Sequence, residues 1–270
     1  MLLGVLKALN AGCGPTIRGC FMDALKRIIF PLDGMNAEQA ETWMYKLRDH
    51  IGFVKIGLEL FTREGPEVVK LAQQANMPVM LDLKLHDIPN TMVGAVRAAV
   101  GMGVKLITVH ASAGDKALKA CVEATEGTDA NIVAVTLLTS LDSWDAARIF
   151  EGLGVWRKPP QSPDSAPARI VERLVVEATQ AGVDYFVCSP QEASGIKQMR
   201  LKSVVITPGI RMGQGHDDQK RVGTPEGAIG AGADYLVIGR PIRESSDPLA
   251  TIDEIRAGIE IGWEWRTSME

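Results

Sequence analysis

The run Leu81-Asp82-Leu83-Lys84-Leu85-His86-Asp87-Ile88-Pro89-Asn90-Thr91 carries three ionisable side chains, Asp82, Lys84 and Asp87, into an apolar stretch that begins at Met77-Pro78-Val79-Met80. In a strand, residues two apart share a face, so Asp82 and Lys84 point one way and Leu81 and Leu83 the other. Asp87 follows three residues on, where the chain turns at Ile88-Pro89. Charges withdrawn from water are costly unless they are paired. A carboxylate and an ammonium fixed side by side can move a proton or stabilise charge that develops in a reacting molecule. The plainer alternative is a structural Asp–Lys ion pair.

Lys55 adds to the suspicion, because it stands between Val54 and Ile56 in a second β-rich run. A lysine facing the surrounding helices there is expensive. Facing inward, it can pair with Asp82 from the neighbouring strand, so that Lys55, Asp82, Lys84 and Asp87 form an alternating array of charges. A second signal lies near the end of the chain. Ile238-Gly239-Arg240-Pro241-Ile242 places a glycine at a strand end, then an arginine, then a proline suited to the first turn of a helix. Helix-start N–H groups and a guanidinium together suit a phosphate. The preceding loop, 207–219, contains Thr207-Pro208-Gly209-Ile210-Arg211 and reaches Gln219, so it can close over a bound anion.

These residues need a scaffold that brings distant segments to one place. Short β-rich apolar runs recur at 27–33, 53–57, 79–84, 105–110, 132–138, 185–188, 204–208 and 235–239. Stretches able to hold helices separate them, among them 37–49, 66–76, 93–102 and 116–124. The first five runs start about 25 residues apart, which suits one strand and one helix each. Eight such units make an α/β fold of the (β/α)8 TIM barrel type, as a single domain. Such barrels carry their chemistry at the C-terminal ends of the strands. The residues there are Asp33, Lys55, Asp82 with Lys84, His110, Thr139 with Ser140, Ser189, Pro208 with Arg211, and Gly239 with Arg240. His110 by itself reads as a satisfied core histidine, and Asp33 or Thr139 could each cap a loop or helix. The set as a whole is a poor match to coincidence.

The interval between the fifth and sixth strands is about twice the usual length. Its Pro-rich part, 157–167, reads as a solvent loop. Residues 1–21 read as an N-terminal extension, disordered or preceding a start at Met22, and 22–270 as the catalytic barrel. The 270 residues suit one α/β barrel, and 46% hydrophobic content with 23% charge describes an ordinary globular chain. A net charge of −4 argues against general nucleic-acid or membrane-surface binding, though not against a local cationic pocket. The four cysteines, Cys13, Cys20, Cys121 and Cys188, show no metal-binding spacing and fit reduced thiols in the cytoplasm.

The motif Asp82-x-Lys84-x-x-Asp87-Ile88-Pro89-Asn90-Thr91, with Asp33, Lys55, Thr207-Pro208-Gly209-Ile210-Arg211 and Gly239-Arg240-Pro241, resembles the orotidine 5′-phosphate decarboxylase family. The resemblance runs from about Leu25 to Asp247. It implies conversion of orotidine 5′-phosphate to uridine 5′-phosphate and carbon dioxide, the last step of UMP synthesis, with no metal or organic cofactor. By position it makes Lys84 the proton donor to C6 and sets Asp82 against the scissile carboxylate. Lys55 and Asp33 fall on the ribose hydroxyls, Thr139 and Ser140 on the pyrimidine. Arg211, Gln219, Gly239 and Arg240 fall around the phosphate, and Pro208 falls among the substrate-binding residues. The resemblance also implies a homodimer in which Asp87, with Ile88 and Thr91 beside it, reaches the partner's active site.

Two other readings compete. A metal-dependent lyase or synthase acting on a pentulose or hexulose phosphate shares Asp-x-Lys-x-x-Asp, with acidic residues holding magnesium. Ile88-Pro89-Asn90-Thr91 and Arg211 speak against it. A non-catalytic phosphate-binding barrel needs the arginines but neither Lys84 nor Asp87.

Overall fold

Every β-rich run is followed by a helix, so successive strands run parallel and the sheet must be covered on its outer face. The computed structural model describes residues 24–151, 166–199, 201–212 and 223–269. Within these, eight strands pair in chain order and the eighth returns to the first, closing a barrel. The strands are β1 (Ile28–Pro31), β2 (Phe53–Gly57), β3 (Val79–Leu85), β4 (Leu106–His110), β5 (Asn131–Val135), β6 (Tyr185–Val187), β7 (Val204–Thr207) and β8 (Tyr235–Val237). Around them lie α1 (Ala37–Leu47), α2 (Leu58–Glu64), α3 (Glu67–Gln74), α4 (Pro89–Gly101), α5 (Asp115–Glu123), α6 (Ser143–Glu151), α7 (Ala166–Gln180), α8 (Pro190–Gln198), α9 (Pro225–Gly230), α10 (Arg240–Arg243) and α11 (Pro248–Met269). The expected TIM barrel is the observed fold.

The alternation of each strand divides the apolar residues into two cores. Outward-facing residues such as Ile28, Phe30, Val54, Ile56, Leu81 and Ile107 pack with the helices. Inward-facing Ile29, Met80, Leu106, Val133 and Ile206 meet inside the barrel, with Phe53, Tyr185 and Tyr235 against them. Two residues further along each strand the same inward face continues, because the side-chain period is two. That next layer contains Pro31, Lys55, Asp82, Thr108 and Val135. The barrel interior is thus apolar in one layer and charged in the next.

The opposite end of the barrel is tied by Asp234, just before β8. Its carboxylate accepts from Lys197 Nζ at 2.7 Å and Arg266 at 3.1 Å, while its carbonyl accepts from Arg27 at 3.1 Å. Arg27 and Arg266 both lie against the Trp263 ring, so α11 is clamped to the strands there.

Two elements differ from the sequence expectation. Helix α4 starts at Pro89, four residues before the expected 93, because proline needs no N–H partner in a first turn and its φ is already helical. The long interval between β5 and β6 holds two helices, α6 and α7, the second starting at Ala166, inside the expected loop 157–167. Most of the Pro-rich stretch 157–167 and all of 1–21 lie outside the described residues. Cys121 and Cys188 are both buried, and burial pushes the Cys121 thiol up to about 11, so that thiol is not poised to react. No helix among the described residues is long and apolar enough to cross a membrane.

Candidate active site

At the C-terminal end of the barrel, Asp33, Lys55, Asp82 and Lys84 form a continuous chain of opposite charges. Lys55 stands between the two carboxylates, its Nζ 2.8 Å from Asp33 Oδ1 and 3.3 Å from Asp82 Oδ2. Lys84 Nζ then lies 2.9 Å from both oxygens of Asp82. Lys55 and Asp82 are each only 8% exposed, so water does little to hold these charges and the partners must. Burial works against the Lys55 ammonium, yet Asp82 and then Asp33 outweigh it and hold its pKa above the ordinary lysine value. Burial likewise opposes the Asp82 carboxylate, while Lys55, Lys84 and the Thr108 hydroxyl hold it below the usual aspartate range.

Regular strand geometry does not account for the position of Lys84. Leu81 pairs with Ile107 and Leu85 with Val109, so β3 has two more residues than β4 between these points. The excess forms a bulge, with Lys84 in the left-handed region at φ +50°. The Lys84 backbone N–H, released from the strand ladder, donates to Thr108 Oγ1 at 2.9 Å. Asp82 and Lys84 therefore share a face as the alternation implies, but the bulge sets how they meet. Glycine is needed at the end of β2 for a related reason. A Cβ at Gly57 would stand 2.7 Å from Asp33 Oδ1 and 3.1 Å from Lys55 Nζ, inside the ion pair.

These charges open on a cavity of about 500 Å³, within the range for a small-molecule site. Val135, Leu137, Leu138, Val187 and Val237 give it an apolar wall, while Arg211, Arg240 and Arg243 stand among its lining residues with the array. The five cations and two carboxylates along its described lining leave a surplus of three positive charges. The space is built for an anion with an apolar part.

Of the residues singled out in the sequence, Asp33, Lys55, Asp82, Lys84, Thr139, Pro208, Arg211, Gly239 and Arg240 line this cavity together. Ser140 is exposed beyond Thr139 and is not among the lining residues. Asp87, Ile88 and Thr91 are exposed on the surface of the single chain, Ile88 by 66%, and also lie outside the lining. The Asp87 carboxylate accepts from the Ile88 N–H at 2.6 Å. The alternating array within one chain is thus Asp33–Lys55–Asp82–Lys84, without Asp87. Gln219 lies outside the described residues.

Ser189 is buried behind β6, where its N–H and hydroxyl both donate to the Glu192 carboxylate at the start of α8. His110 is half-buried at the rim with its ring 5.3 Å from that of His86, instead of enclosed in the core. Burial, then His86 and Lys84, lower its pKa, so it is neutral at pH 7.

Three residues of the site were not identified from sequence. Thr108 and Gly57 are inconspicuous by type, although Thr108 lies two residues before His110 on the inward face. Arg243 lines the cavity and donates to the Asp33 carbonyl at 2.7 Å. Its spacing from Arg240, one helical turn, could have revealed it. Among the described residues, no three His, Cys, Asp or Glu side chains converge as a metal site would require.

The model of a family described as orotidine 5′-phosphate decarboxylase / HUMPS matches residues 26–255. The orotidine 5′-phosphate decarboxylase of Wolbachia pipientis subsp. Culex pipiens is 42% identical over 229 residues, covering 84% of this chain and 96% of its own. That of Thermobifida fusca is 42% identical over 237 residues, covering 86% and 95%. Among solved structures, orotidine 5′-phosphate decarboxylase from Lactobacillus acidophilus superposes with a TM-score of 0.70 at 31% identity, over 86% of this chain and 97% of that one. With its closed parallel barrel and its cationic cavity at the strand ends, the chain belongs to the orotidine 5′-phosphate decarboxylase / HUMPS family.

Proposed function

We propose that the chain converts orotidine 5′-phosphate to uridine 5′-phosphate and carbon dioxide, with Lys84 as the acid and no metal or organic cofactor. The observation that carries this reading is the balance of charge in the cavity. The substrate has a phosphate and a carboxylate, roughly three negative charges at neutral pH, against a surplus of three positive charges in the described lining. Relatives about 40% identical that bear the name of this decarboxylase support it further.

In the reaction, the bond between C6 and the carboxylate carbon breaks and its electron pair stays on C6. Lys84 then delivers a proton from Nζ to C6 and recovers one from solvent. A vinylic carbanion is strongly basic, so an ammonium fixed nearby is worth most at the moment the charge forms. Asp82 anchors that ammonium and faces the departing carboxylate. Lys55 and Asp33 bind the ribose hydroxyls, Thr139 and Ser140 approach the pyrimidine, Pro208 lines the substrate space, and Arg211, Gln219, Gly239 and Arg240 hold the phosphate. Binding energy from the phosphate, remote from the reacting bond, orders the site around it.

Asp87 serves the neighbouring subunit. Its surface position, with exposed Ile88 and Thr91, leaves it free to complete the array of a second copy in a homodimer. The enzyme works in the cytoplasm, where nucleotides are made.

The test is the loss of orotidine 5′-phosphate absorbance with purified protein in excess EDTA. Turnover is expected to be undiminished by the chelator. Absence of turnover, or turnover restored only by magnesium, refutes this reading and favours the metal-dependent sugar-phosphate lyases.

A further inference from the structure

We propose that Thr108, on the barrel-lining face of β4, is a positioning residue that fixes the Lys84 ammonium and the Asp82 carboxylate in one geometry through its hydroxyl. The inference rests on the decarboxylase reading of the site. Thr108 is fully buried, 0% exposed, two residues inward of the rim. Its Oγ1 accepts the Lys84 backbone N–H at 2.9 Å and lies 3.1 Å from Asp82 Oδ1. The carbonyl of Leu81 is a more distant acceptor at 3.5 Å. A hydroxyl has a single proton to give, and the ionised carboxylate is both the nearer and the stronger acceptor.

One oxygen therefore ties two groups of opposite charge by two different kinds of bond. It holds the carboxylate of Asp82 by donating and the backbone of Lys84 by accepting. The Lys84 bond is the more consequential. A lysine at φ +50° is in a conformation that side-chain-bearing residues rarely adopt, and it persists only when the surroundings enforce it. The N–H that regular strand pairing would satisfy is turned aside by the bulge, and Thr108 supplies the acceptor. Without that acceptor the half-buried N–H loses its partner, and the bulge loses a bond that holds it. The Nζ would then swing on a backbone free to relax towards an ordinary strand. Small displacements of a proton donor have large kinetic effects, since productive geometry tolerates little error.

Thr108→Val and Thr108→Ser separate the hydroxyl from the volume. Valine keeps the shape and removes the oxygen, while serine keeps the oxygen and loses a methyl group. In Thr108→Val, kcat for orotidine 5′-phosphate should fall about 100-fold while KM stays within about threefold, because the phosphate contacts are untouched. Thr108→Ser should recover kcat to within about fivefold of wild type. A crystal structure of ligand-free Thr108→Val should show Lys84 outside the left-handed region and its Nζ withdrawn from Asp82. Wild-type kcat in the valine variant, or equal losses in the two variants, overturns the proposal. So does a valine variant whose Lys84 keeps its φ and its contact with Asp82. That structural comparison needs no substrate, so it decides the matter even if the wild-type protein leaves orotidine 5′-phosphate unchanged, which would refute the decarboxylase reading alone.

Discussion

Lys84 Nζ is equidistant from the two carboxylate oxygens of Asp82, at 2.9 Å from each, although Lys84 itself departs from the strand at φ +50°. The ammonium is therefore held by one side chain from within the barrel, with its remaining direction open to the cavity. Removing it takes away the proposed proton donor and leaves Asp82 with Lys55. Lys84→Ala should lower turnover of orotidine 5′-phosphate by at least about 10³-fold. Binding of uridine 5′-phosphate, followed by calorimetry, should weaken by less than about tenfold. Near-normal turnover would show that another group protonates C6.

Arg240 opens α10 and lines the cavity beside Gly239. A charge-assisted contact with phosphate is worth about 1.5–3 kcal/mol. Arg240→Ala should raise KM for the phosphorylated substrate by roughly 10- to 100-fold, with a smaller change in kcat. An unchanged KM would contradict the proposed role at the phosphate.

Asp87 and Lys84 belong to different sites if the dimer shares its residues. Separately purified Lys84→Ala and Asp87→Ala proteins should each be inactive. Mixed in equal amounts and allowed to exchange subunits, they should regain roughly a quarter of wild-type activity, because half the dimers are mixed and each of those has one intact site. No recovery, with exchange verified by mass spectrometry, would place Asp87 in its own chain's site.

The array also sets a window of pH stability. Asp82 has a folded pKa below its unfolded value, so its contribution is complete above the ordinary aspartate range and is lost as pH falls through the folded value. Lys55 has a folded pKa above its unfolded value, so its contribution is complete below the ordinary lysine range and is lost as pH rises through the folded value. Urea midpoints should therefore decline below about pH 4 and above about pH 10. Asp82→Asn should flatten the acid side of that profile. An unaltered acid slope in the variant would mean that other carboxylates govern it.

Much of this was legible in the sequence because barrels impose two periodicities at once. The spacing of β-rich runs gave eight units, and the period of two within each run pointed Lys55, Asp82 and Lys84 inward. Strand β5 ends at Val135, three residues before its apolar run does, because Leu137 continues the hydrophobic wall after the ladder has ended. The bulge at Lys84 was not legible, since it depends on how β3 registers against β4. Thr108 was hidden for the same reason. A threonine in a strand is ordinary, and only the neighbouring strand's displaced N–H gives its hydroxyl a purpose. Arg243 was signalled only by its one-turn spacing from Arg240, since its carbonyl partner on Asp33 is distant in sequence.

The apolar layer of Ile29, Met80, Leu106, Val133 and Ile206 lies directly beneath the charges. It leaves the cavity as the array's reservoir of dielectric screening on the side away from that layer. A molecule that fills the cavity therefore drains that reservoir, and each attraction among Asp33, Lys55, Asp82 and Lys84 deepens as it enters. The occupant itself sets the field in which it reacts, and a smaller ligand that leaves water behind meets a weaker one.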